Sequence, residues 1–197
     1  MPNFAQLEIK TERLLLRPLR VSDAQAVFAI RSNEQVMRYW STAAWTSIDL
    51  AHELIARDLN AMSTGEYLCL GMVRAEDQVL IGTCTLFHFD EQCQRAEIGY
   101  GMHYDAWGHG YMHEALLALL EFGFSELGFN RIEADIDPRN EASAKSLVRL
   151  GFKKEGHMKE RWIVNGEKSD SAWYGLLCSE WQSTNHLRNT GFELPTL

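Results

Sequence analysis

Gly108 and Gly110 flank a single histidine in the stretch YDAWGHGYMHEALLALL, and an apolar helix begins directly behind them. The spacing of Met112, Ala115, Leu116, Leu119 and Gly123 starts that helix near Tyr111. The free N–H groups of its first turn, and the positive end of its dipole, then point out of the loop. Several adjacent amides of this kind cradle a pyrophosphate, and side chains at 108 and 110 would hold the phosphates away from them. The chain has no Gly-x-x-x-x-Gly-Lys-Ser/Thr, and no Gly-x-Gly-x-x-Gly behind a first strand, so the two common phosphate motifs are excluded. A competing reading is that Gly-x-Gly only tightens a strand-to-helix turn. His109 and His113 lie four apart, but the stretch lacks the internal Glu of a metalloprotease helix and a third ligand, so no metal is expected.

The elements that must position this loop follow from periodicity and punctuation. TERLLLRPLR reads as a first strand, and Ser22 and Asp23 offer capping oxygens for a helix through VSDAQAVFAIRSN. A second helix starts at Thr46 or Ser47 and ends at Gly65. YLCLGMVR and QVLIGTCTLFHFD form an antiparallel pair around a turn at Glu76 and Asp77, and RAEIGYGMH is the next strand. The helix from Tyr111 to about Leu127 is followed by the strand NRIEADID, closed by Pro138, and by the helix NEASAKSLVRL, ended by Gly151. FKKEGHMKERWIV and SAWYGLLC are the last two strands, around an Asn165–Gly166 turn. This order predicts a mixed α/β fold on one central sheet. Residues 1–181 are expected to form a single domain, with 182–197 as an aperiodic C-terminal extension.

Composition narrows the class. The 197 residues are 46% hydrophobic, enough for one substantial core. A net charge of -8 argues against nucleic acid or an anionic membrane as partner, and suits a cationic one or plain solubility. MPNFAQLEIKTERLLLRPL carries no secretory pattern and no run is long enough to span a membrane, so a cytoplasmic protein is expected. The four cysteines, 69, 84, 93 and 178, form no Cys-x-x-Cys pair and are expected to be reduced.

Four motifs in order, Ala96-Glu97-Ile98-Gly99-Tyr100, Trp107-Gly108-His109-Gly110, Asn140-Glu141-Ala142-Ser143, and Leu150-Gly151-Phe152 with Glu155-Gly156, give the chain a family likeness. It resembles the GNAT superfamily of N-acetyltransferases, and within it the Rim branch that acetylates ribosomal-protein N-termini, over roughly residues 11–181. The resemblance implies a mostly antiparallel central sheet with a splayed fourth strand and flanking helices. It also implies an acetyl-CoA site with the pyrophosphate on the amides of Trp107, Gly108, His109, Gly110, Tyr111 and Met112. Pantetheine would run along the splayed strand at Met102 and Tyr104, with Asn140 at its amide end. Pantetheine's amides suit an exposed strand edge, and a backbone N–H near Met102 could stabilise an oxyanion. Two positions depart from the family pattern: Asp105 stands where a Gln or Arg is usual, and Leu147 where many members carry a tyrosine that protonates the leaving thiolate.

Attack on a thioester needs a neutral amine, and the departing thiolate needs a proton or other stabilisation. The resemblance makes Ser143 the acid; the competing reading is a first-turn capping serine. For the base the chain offers Glu97, Glu155 and Glu160, of which Glu97 and Glu160 rank equally. Glu97, Gly99, Gly101 and His103 share a strand face on which the glycines leave an open channel. Counting from Ser143 lands on Trp162, on the same strand face as Glu160. Trp40 and Trp45 lie in the segment Tyr39–Thr46, where acceptor specificity is expected to reside. Three functions remain open: acetylation of a protein or peptide α-amine, including a ribosomal one; acetylation of a small amine; or acyl-CoA binding without turnover. Whether the protein is a monomer or a homodimer stays open.

Overall fold

The computed structural model describes residues 2–185. Eight strands form one sheet: β1 (Ile9–Lys10), β2 (Leu14–Pro18), β3 (Leu68–Arg74), β4 (Leu80–Asp90), β5 (Arg95–Met102), β6 (Arg131–Ile136), β7 (Lys153–Val164) and β8 (Glu167–Leu177). They are ordered β1-β2-β3-β4-β5-β6-β8-β7, and only β5 and β6 run parallel. The mixed, mostly antiparallel sheet with flanking helices is therefore as the sequence implied. The short β1 adds a strand that its two residues were too few to announce.

Helices α1 (Ala24–Arg31), α2 (Glu34–Met37) and α3 (Asp49–Thr64) precede β3. The helix expected over 21–33 is α1, entered through a 3-10 turn at Val21–Asp23, and Asn33 then starts the additional α2, its side chain accepting from the N–H of Gln35 and Val36. Asp23 does not cap α1. It is drawn instead into a buried ion pair with Arg17 (2.7 Å) and accepts the Arg20 N–H. Gly65 ends α3 in the left-handed conformation, as expected. Helices α4 (Tyr111–Ser125) and α5 (Glu141–Leu150) carry the loop and the Asn-x-x-Ser motif. The chain then turns into α6 (Cys178–Asn185), so a helix crosses the expected 181/182 boundary; residues 186–197 of the anticipated extension lie outside the described residues.

The core is continuous, from Phe4 and Leu16 through Leu70, Leu86 and Leu119 to Phe152 and Leu176. Helix α4 contributes most, with Ala115, Leu116, Ala118, Leu119, Leu120 and Phe122 all fully buried, which anchors the glycine loop to a rigid element. No described helix is long and apolar enough to cross a membrane.

Candidate functional site

β5 and β6 pair only from Arg95–Arg131 to Glu97–Glu133. Beyond that point β5 stays with β4 as far as Met102, while β6 stays with β8 as far as Ile136, so the two central strands part. The wedge between them leaves the β5 edge from Ile98 onward without a strand partner, a template for an extended ligand that carries amides. The edge ends earlier than expected. The Met102 carbonyl accepts the Trp107 indole N–H (2.9 Å), and Tyr104 already belongs to a 3-10 turn, Tyr104–Ala106, with its ring 5.0 Å from that of Trp107.

Gly108 (φ 80°) and Gly110 (φ 81°) are both left-handed. A Cβ at Gly108 would meet nothing within 4 Å, and one at Gly110 only Arg13 Nη2 at 3.5 Å. The backbone conformation, not crowding within the chain, is what demands glycine here, and it leaves open space above the loop. Among the described residues the N–H groups from Gly108 to Met112 have no acceptor, which suits a pyrophosphate. His109 is occupied locally, its Nδ1 2.8 Å from the Trp107 carbonyl and its ring stacked on Tyr111. Asp105 points into solvent beside His103. Beside the loop stands Arg13, which the sequence reading missed. Its guanidinium pairs with Glu114 (2.7 Å), donates to the His109 carbonyl (2.9 Å) and lies over the Tyr111 ring. No local pattern signals a contact between residues about a hundred positions apart.

The first turn of α5 reaches the wedge. Asn140 caps it by accepting the Ser143 N–H (3.1 Å), which leaves its Nδ2 without a partner among the described residues, on a cavity wall. The Ser143 hydroxyl, in a residue only 8% exposed, lies 2.7 Å from the Tyr100 hydroxyl. Burial pushes the Tyr100 phenol up to about 12, and the bond to Ser143 only partly opposes it, so Tyr100 is neutral at physiological pH and can donate. Leu147 is fully buried in the core. Tyr100, in the AEIGY motif, thus places a phenol beside Ser143, a contact that the sequence reading missed.

The wedge opens into a cavity of about 740 Å³ whose wall runs from α3, β3, β4 and the segment after α2, past β5, to β6, the first turn of α5, β7 and β8. Glu97 lies on its wall and is 3.1 Å from His88 Nδ1. The expected channel over the two glycines is filled by aromatic rings: a Cβ at Gly101 would come within 2.8 Å of Trp40, and one at Gly99 within 3.2 Å of Phe87. Tyr39, Trp40 and Ser41 line the cavity, whereas Trp45 packs against the core. The other enclosed acids are held by arginines: Asp58 by Arg57 (3.6 Å), Asp135 by Arg161 (3.3 Å) and Asp137 by Arg139 (2.7 Å). Glu160 lies elsewhere. A bulge between Met158 and Trp162 breaks the alternation of β7, so Trp162 lines the cavity while Glu160, at φ 49°, pairs with Lys168 (2.6 Å) on the exterior. Glu155 is ion-paired with Arg131. Cys69 lines the cavity, but burial and then Asp58 push its thiol well up, so no thiolate nucleophile exists there at neutral pH. Among the described residues, no group of three or more His, Cys, Asp and Glu is arranged to hold a metal.

The site thus consists of a loop with unpaired amides, a split sheet, and a cavity lined by Tyr100 and Ser143. The family model described as an acetyltransferase (GNAT) domain matches residues 13–153. The uncharacterized N-acetyltransferase p20 of Bacillus licheniformis is 33% identical over 171 residues, 87% of this chain and 96% of its own. YdaF of Bacillus subtilis, named as a candidate ribosomal N-acetyltransferase, is 30% identical over 177 residues, 87% of this chain and 94% of its own. A solved structure of a candidate ribosomal-protein-serine acetyltransferase from Vibrio cholerae superposes with a TM-score of 0.75 at 27% identity, covering 86% of this chain and 97% of that one.

Proposed function

The chain belongs to the GNAT family of N-acetyltransferases, with acetyl-CoA as cosubstrate, and within that family we propose that its acceptor is the α-amine of a protein or peptide N-terminus. One observation carries the choice: of the enclosed cavity carboxylates, Glu97 is the one that faces an imidazole rather than a guanidinium. A carboxylate is a weak base, and it suffices for an α-amine with an ordinary pKa of about 7.7–8.0 better than for a lysine near 10.4. The likeness to YdaF points the same way.

In this reading the diphosphate lies on the amides from Gly108 to Met112, one residue short of the expected cradle because the Trp107 N–H donates to the Tyr104 carbonyl (3.1 Å), and the pantetheine arm runs along β5 into the wedge, its amide end at Asn140. Glu97, directly or through a water, takes the proton from the attacking amine. The C–N bond forms as the carbonyl C–S bond breaks, and the proton lost by nitrogen ends on the released thiol. Ser143, backed by Tyr100, donates a hydrogen bond to the sulfur as it departs. Full transfer from Tyr100 would be uphill, because a thiol is more acidic than a phenol held near 12, so donation without transfer is the role assigned. Attack is direct, since Cys69 is held neutral and cannot form an acyl-enzyme.

The test is CoA release with N-terminal peptides compared with spermidine and free amino acids. Turnover of peptides supports the reading, and exclusive turnover of small amines, free amino acids included, refutes it.

A further inference from the structure

Three arginines line the cavity, and two of them hold aspartates. The third, Arg31, is the last residue of α1. Its guanidinium carbon stands 3.9 Å from the centroid of the Trp40 ring and 5.7 Å from that of Trp45, and among the described residues it has no hydrogen bond and no salt bridge. Asp58, the carboxylate whose charge reaches it through space, is already engaged by the Tyr67 hydroxyl (2.6 Å) and by Arg57. A guanidinium stacked on two indoles is fixed in orientation while its N–H fork remains unused, and such a fork matches a carboxylate. Trp40 connects Arg31 to β5, because its ring also packs over Gly101, on the strand that carries Glu97.

The wall thus offers a cation without an anion at Arg31 and, at Glu97, a carboxylate suited to an amine. We propose that Arg31 is an acceptor-recognition residue that binds a carboxylate carried a few bonds from the amine to be acetylated. This rests on the reading of the site as an amine acetyltransferase, and it narrows the acceptor class. The carboxylate belongs either to an acidic side chain close behind a peptide N-terminus or to a free amino acid. A phosphate is disfavoured, since a doubly charged group would meet the carboxylates of Asp58, Glu66 and Glu97 on the same wall with one unpaired guanidinium to offset them.

The experiment measures CoA release by the full chain with matched acceptors. One arm uses C-terminally amidated peptides with Asp or Asn as second residue; the other uses a free amino acid and its amide. Spermidine serves as an acceptor without a carboxylate. The acidic acceptor should exceed its neutral counterpart in kcat/KM by about tenfold or more in one arm or both, which identifies the source. R31Q should erase that ratio while the rise in Tm with acetyl-CoA stays as in wild type. R31K keeps the charge but loses the fork and should retain part of the ratio, which also carries the test if R31Q does not fold. A ratio near one in wild type, a preference for spermidine, or an equal fall for all acceptors in R31Q overturns the assignment. No CoA release with any amine, although acetyl-CoA raises the Tm, would instead overturn amine acetylation itself.

Discussion

Replacement of Tyr100 by Phe removes one oxygen from the point where wedge and cavity meet. The lost hydroxyl is 2.7 Å from Ser143 Oγ, and Ser143, 8% exposed, would be left with an unpaired hydroxyl. An orphaned buried hydroxyl costs about 1–2 kcal/mol, which for a chain of this size lowers the Tm by roughly 2–8 °C. If Ser143 stabilises the leaving sulfur only when Tyr100 holds it, kcat should fall about 10–100-fold, with KM for acetyl-CoA within about twofold because the phosphate loop is untouched. Stability gives an independent readout. The folded protein holds the phenolic proton more tightly, near 12 against an ordinary 10.0, so this contribution is complete below pH 10 and is lost as pH rises toward 12. Urea unfolding of wild type and Y100F should therefore show their stability difference shifting by about 1–1.5 kcal/mol between pH 9 and 11, against the wild type. S143A should be equally slow, and the double variant little slower than either. A kcat within twofold of wild type in Y100F would refute the donor role; a stability difference that does not change with pH would refute the burial argument.

G108A should fold, since its Cβ meets nothing within 4 Å, at a cost of about 1–2 kcal/mol for the left-handed backbone. Its acetyl-CoA affinity, read by calorimetry, should still fall about tenfold or more, and unchanged affinity would remove the loop from the phosphate site. E97Q should lower kcat/KM about 100-fold in peptide assays, whereas E160Q, which loses only an exposed pair with Lys168, should stay within twofold; the reverse ranking would move the base to β7. R17M strands Asp23 in a buried setting and should cost about 3–5 kcal/mol in urea unfolding without altering acetyl-CoA affinity, and a loss near zero would mean that the pair is dispensable.

The sequence by itself determined the glycine loop, the helix behind it and the Asn-x-x-Ser turn. Each is a local device: a left-handed backbone at 108 and 110, an apolar stripe from Met112, and a side chain that caps three residues ahead. Ordered along the chain, they were enough to reach the family. What they could not carry is whatever depends on two strands parting or on a strand losing its alternation. Glu97 and Glu160 looked equivalent as residues on strands, and the bulge at Met158–Trp162 separated them by turning Glu160 outward. Leu147 showed only that a tyrosine is missing there; that the Tyr100 hydroxyl meets Ser143 from 43 residues away is a contact only the fold makes. Arg13 on the loop and Arg31 under Trp40 were likewise invisible, since a guanidinium's role depends on which charge the fold leaves unpaired beside it. Backbone conformation and helical faces are set by neighbours in sequence. Proton donors, paired charges and cavity walls are set by contacts across the sheet, and only the tertiary structure decides those.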